Sequence, residues 1–172
     1  MIEQENPASL PAQSFAEAYP YHLSPGALFK FRGHWAMRVA YSDVPTDQAF
    51  LLLEGSQAGN LHRMSGGMAR ALCVSSSFAW FAAVDPGDPA GHDALQSASL
   101  AISECGPVIV GGDEDGDHYA FDLTGQHWAD YLPSTALTCF DRWSVQLALK
   151  EQPFRSLGML FSVDRRSGRS ST

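Results

Sequence analysis

Two alternating apolar runs separated by a glycine constrain this chain more than any other feature. In Leu28-Phe29-Lys30-Phe31-Arg32 the two phenylalanines share one face and the two cations share the other. Gly33-His34 supplies a tight reversal, after which Trp35, Met37, Val39 and Tyr41 alternate with Ala36, Arg38 and Ala40. A period of two belongs to a pleated strand, whose successive side chains point to opposite faces. The pair predicts a β-hairpin with one wet face, on which Arg32 and Arg38 are solvated.

More short strands follow at similar spacing. Ala49 to Leu53 is a continuous apolar run, Glu54 to Gly59 turns, and Asn60 to Met64 returns. Met68 to Val74 and Phe78 to Val84 come after the breaks at Ser65-Gly66-Gly67 and Ser75-Ser76-Ser77. This rhythm predicts a meander that rolls into a curved sheet or small barrel. Val108-Ile109-Val110 and His118 to Leu123 read as a second hairpin, and their connection contains an Asp-Gly pair.

Helical signals interrupt the strands. Gln13 to Tyr19 is a short helix candidate closed by Pro20. Over 94–105 the signals agree. Asp93 is an N-cap with Gln96 completing a capping box, and Leu95, Ala98, Ile102 and Cys105 share one helical face. Gly106 and Pro107 then stop it. From 135 to 152, Ala136, Cys139, Phe140, Trp143 and Leu147 also share a helical face. Trp143, Val145, Leu147 and Leu149 alternate like a strand in the same segment, but its length favours a helix. The expected class is therefore α+β. Residues 27–84 form a curved, mainly antiparallel sheet or small barrel, extended by the 107–123 hairpin and covered by two or three helices. An all-β fold is the alternative.

Length fits one domain over 1–172, with a flexible lead at 1–11 and a flexible basic tail at 162–172. The tail carries three arginines against one aspartate and almost nothing apolar, so it is expected to be dispensable. The whole chain has net charge −8, so the body before the tail is more acidic still and repels phosphate backbones. No nucleic-acid partner is expected, and no membrane partner, because no stretch approaches the roughly 20 apolar residues of a membrane span. The polar start lacks the pattern of a secretory signal. Cys73, Cys105 and Cys139 are odd in number with no CxxC pair, which suits buried thiols in a reducing compartment. A cytoplasmic location is expected.

Chemistry-bearing motifs are few. No glycine-rich stretch has the lysine of a phosphate loop, and no nucleophile elbow or HExxH is present, so no cofactor is expected. The acidic turn Asp113-Glu114-Asp115-Gly116-Asp117, followed by His118, is the one dense constellation. Asp113, Asp115, Asp117 and His118 could hold calcium or magnesium, whose ligands are oxygens. The glycine stands fourth rather than sixth from Asp113, and the twelfth position is Thr124, so an EF-hand loop does not fit. The simpler reading is a solvated hairpin tip. Cys105 and His118, with His92 or Asp122 orienting the imidazole, are a nucleophile–base candidate weakened by the apolar setting of the thiol. Trp35, Trp80, Trp128 and Trp143 suit a core or an interface.

Gly112 to Leu123 together with Cys139-Phe140-Asp141-Arg142-Trp143 resembles the C-terminal half of a superfamily of immunity-type proteins. The likeness spans a quarter of the chain and rests on generic turn and strand residues, so it implies no function. The expected function is non-catalytic. The chain reads as an interaction module that binds another protein, or itself as a homo-oligomer, through an aromatic and acidic surface. The alternative is a small enzyme or divalent-metal protein built on the hairpin 113–118. A module should show a broad exposed apolar patch, and an enzyme a pocket of titratable groups.

Overall fold

The computed structural model describes residues 9–41, 48–90, 96–104, 106–127 and 138–166. Its strands are β1 (Phe15–Ala18), β2 (Leu28–Phe31), β3 (His34–Ala40), β4 (Gln48–Leu52), β5 (Leu61–Arg63) and β6 (Ala71–Val74). There follow β7 (Phe78–Ala83), β8 (Leu100–Ser103), β9 (Gly106–Gly112) and β10 (His118–Asp122), then β11 (Thr138–Phe140), β12 (Arg142–Leu149) and β13 (Gln152–Asp164). They make three antiparallel sheets, ordered β1-β6-β2-β3-β4-β5, β10-β9-β8-β11 and β13-β12-β7. The hairpin expected at 28–41 is present as β2 and β3, with Leu28 opposite Met37 and Phe31 opposite His34. Its turn is Arg32-Gly33, both at positive φ (49° and 83°), one residue earlier than the Gly33-His34 reversal expected.

The α+β expectation is wrong. Strands occupy 56% of the structure and no helix reaches seven residues among the described residues, so no helix covers a sheet and the all-β alternative fits. Of the helix expected over 94–105, residues 96–104 form a turn and then β8, which lies between β9 and β11. A lone helix of that length is marginal in water, so pairing on both edges of β8 outweighs its capping residues. Gly106 does take positive φ (114°), but at the β8–β9 turn rather than after a helix. The segment 135–152 resolves to β11 and β12, because the Trp143, Val145 and Leu147 alternation buries one face between β7 and β13. Gln13 to Tyr19 divides into a 3-10 turn at Ala12–Ser14 and the edge strand β1. The second hairpin, β9 and β10, does not extend the first sheet but sits in the second.

One core joins all three sheets. Leu28, Trp35, Met37 and Leu51 from the first meet Leu100, Ile109, Phe121 and Phe140 from the second, and Trp143, Val145, Phe161 and Val163 from the third. Ala98 stands at their junction. Its N–H donates to Val110 O at 2.7 Å, and its carbonyl accepts the Trp143 indole N–H at 2.8 Å. The first sheet has a second buried face of Phe29, Ala36, Phe50, Leu52 and Cys73. Arg38 points to that side and is 7% exposed, not solvated as expected. Its Nη1 donates to the carbonyls of Val39 and Ala49, and burial lowers its pKa. Ser162–Asp164, placed by sequence in the tail, are the last residues of β13, with Val163 4% exposed.

Candidate functional site

The β7–β12–β13 sheet has one buried face and one that is partly exposed. Inward, Trp80, Trp143, Val145 and Leu147 belong to or adjoin the buried interior. Cross-strand partners project to the same side, so the register sets out the opposite face row by row. Ala79, Ala148 and Ser156 form one row, in which Ala148 is buried, and Phe81, Gln146 and Met159 form the next. Ala83, Ser144 and Ser162 follow, and then Arg142 beside Asp164. Hydrogen bonds show that successive rows share this face: Ser156 Oγ donates to Gln146 Oε1 at 2.8 Å, and Gln146 Nε2 donates to Ser144 Oγ at 2.9 Å.

This outward face changes chemistry along its length. At one end Phe154 is 82% exposed and Met159 52%, and the Phe154 ring lies 6.1 Å from Phe81. At the other end a concavity of about 410 Å³ opens among Asp85, Asp88, Arg142, Ser162 and Asp164. Arg142 reaches Asp88 at 3.7 Å and Asp164 at 3.6 Å. Arg166 spans the same end, with Nη1 2.9 Å from both Asp88 carboxylate oxygens and Nε 2.7 Å from Asp141 Oδ1. Those bonds to Asp88, then to Asp141, raise the Arg166 pKa.

Strand addition at the β13 edge is obstructed. Pro153 removes a donor near its start, and the β12–β13 register shifts at three places between Val145 and Leu149. Proline and bulges are the usual means of blunting an edge. What the face offers to a partner is side chains.

The acidic residues occupy the β9–β10 turn. Asp113 Oδ1 accepts the N–H groups of Asp115 (3.1 Å) and Asp117 (3.0 Å), while Oδ2 accepts the Tyr119 hydroxyl at 2.8 Å. These bonds, led by that of Tyr119, lower the Asp113 pKa, and Tyr41 followed by Asp113 pushes the Tyr119 phenol upward. His118 opens β10 and is exposed. Among the described residues no group of three His, Cys, Asp or Glu side chains stands close enough to hold a metal ion. The Cys105–His92–His118 arrangement lies partly outside the described residues, as does Trp128. Asp122, its other candidate orienter, accepts the N–H groups of Thr124 and Gln126 in the next turn. Cys73 and Cys139 are buried, and burial raises both thiol pKa values.

Phe81, Phe154 and Met159 went unrecognised in the sequence. Phe154 and Met159 follow Pro153 in a run with Arg155, Ser156 and Gly158, which is a local hint of exposure, but their row with Phe81 depends on strands more than 60 residues apart. Among the described residues no helix is long and apolar enough to cross a membrane. Comparison with protein-family models, with curated proteins and with solved structures gives no match to this chain.

Proposed function

We propose that the protein is a non-catalytic interaction module that binds another protein on the outward face of the β7–β12–β13 sheet. The observation that carries this reading is Phe154, 82% exposed, with Met159 also exposed and Phe81 in ring contact on the same side of the sheet. Burying one such side chain contributes about 1.5–3 kcal/mol, and exposed apolar clusters with polar surroundings mark interaction surfaces. Arg142, Asp88 and Asp164 at the far end supply directional groups that orient a partner. With the β13 edge blunted, the partner docks face-on against the Phe154 end rather than as a strand added to β13. A cytoplasmic location accords with the free, buried thiol of Cys73.

The test is Phe154→Asp with Met159→Asp. Both sites are exposed, so the double variant should melt with the parent protein. A partner held by the parent in a native pull-down should be lost, with unrelated background species unchanged. Equal capture by parent and variant contradicts the proposal. Light scattering across a concentration series separates self-association, in which the same variant should abolish any dimer.

A further inference from the structure

On the first sheet, a second concavity of about 320 Å³ opens between the β2–β3 turn and the loop joining β4 to β5. Its wall is aromatic. Phe31, His34 and His62 line it, with the Phe31 and His62 rings 6.3 Å apart, and the buried Phe50 ring lies behind them, 4.8 Å from Phe31 and 5.2 Å from His62. Leu52 adds a further apolar surface. The one carboxylate in the lining is already engaged, since Glu54 Oε2 accepts the Trp35 N–H at 2.7 Å and stands 3.6 Å from Lys30 Nζ. Arg32 differs. Its guanidinium lies 5.2 Å from the Phe31 ring centroid and has no ion pair among the described residues. It also occupies a turn position with φ of 49°, where Asn, Asp or Gly is favoured and a long side chain gains nothing locally.

We propose that this cavity binds a small organic carboxylate, with Arg32 gripping the carboxylate and Phe31, Leu52 and His62 covering a flat apolar body. The guanidinium fork matches a carboxylate with two parallel hydrogen bonds. His62 Nε2 is buried without a partner, and burial lowers its pKa, so the imidazole enters as a neutral aromatic plate. The cavity is small, at the lower end of the size range of ligand sites. It shares no residue with the outward face of the third sheet, so either proposal can fail alone.

The probe is sodium benzoate, followed by NMR of the His34 and His62 ring protons, with sodium chloride at matched ionic strength and uncharged benzamide as controls. Benzoate should shift both rings saturably, and benzamide should bind at least about tenfold more weakly, as the loss of a charge-assisted pair requires. Arg32→Gly suits the left-handed turn, so it should keep the fold and weaken benzoate about as much while leaving benzamide unchanged. Shifts that sodium chloride reproduces, benzamide binding equal to benzoate, or full benzoate affinity in Arg32→Gly would each overturn the proposal.

Discussion

Cutting the chain after Phe161 removes what composition marks as a tail and the fold uses as a strand end. The cut deletes Ser162, Val163 and Asp164 from their pairing with Ser144, Trp143 and Arg142. Val163 is 4% exposed within the shared core, and burying a valine contributes about 1.5–3 kcal/mol. For a domain of this size each kcal/mol moves the midpoint by about 2–4 °C, so Val163 alone corresponds to a fall of roughly 3–12 °C. The cut also removes Arg166, leaving the Asp141 carboxylate, 6% exposed, without its 2.7 Å partner. The loss should therefore fall in the upper part of that range. A cut after Arg166 removes only Ser, Gly, Arg and Thr residues and should melt with the full chain. Thermal melts by circular dichroism of the three chains decide the matter. A midpoint within about 2 °C after the Phe161 cut would show that β13 draws no stability from its last residues.

Other outcomes follow from single sites. Gly59→Ala should cost about 2–6 kcal/mol in urea unfolding, because φ is +89° and a Cβ would stand 2.4 Å from Ser97 Cβ and 2.5 Å from Ala98 N. His62 has a folded pKa below its ordinary 6.5, chiefly through burial, so the unfolded chain binds its proton first. Its neutral form thus favours the fold above pH 6.5, and that contribution should fall as the pH drops below this value. His62→Phe should flatten the loss, and an unchanged pH profile would count against it. Asp113 already spends its carboxylate on the hairpin, so millimolar calcium or magnesium should move the melting midpoint no further than matched salt. A larger rise, lost in Asp115→Asn with Asp117→Asn, would restore a metal role for the turn.

Both hairpins were legible because their signals are local. Leu28 to Tyr41 alternates around a positive-φ turn, and Val108 to Leu123 surrounds a turn whose Gly116 has φ of 86°. The failures all came from neighbours distant in sequence. Leu100, Ala101 and Ser103 are buried while Ile102 is 39% exposed, a pattern set by pairing with β9 and β11 rather than by helical spacing. Arg38 looked solvated because a two-sided core cannot be read from one hairpin, and Cys73 and Phe50 arrive from other strands to close its face. The proposed interaction surface was hidden for the same reason. Phe81 and Met159 become neighbours only through β12.

The most direct measurement places a photo-crosslinking phenylalanine analogue at Phe154, and in a second protein at Leu72, which is 43% exposed on the first sheet. In extracts of the source cell, the Phe154 probe should join one discrete species that the unlabelled protein competes away, and the Leu72 probe should not. Equal labelling from both positions, or a discrete adduct from Leu72 alone, would contradict the outward face of β7, β12 and β13 as the working surface.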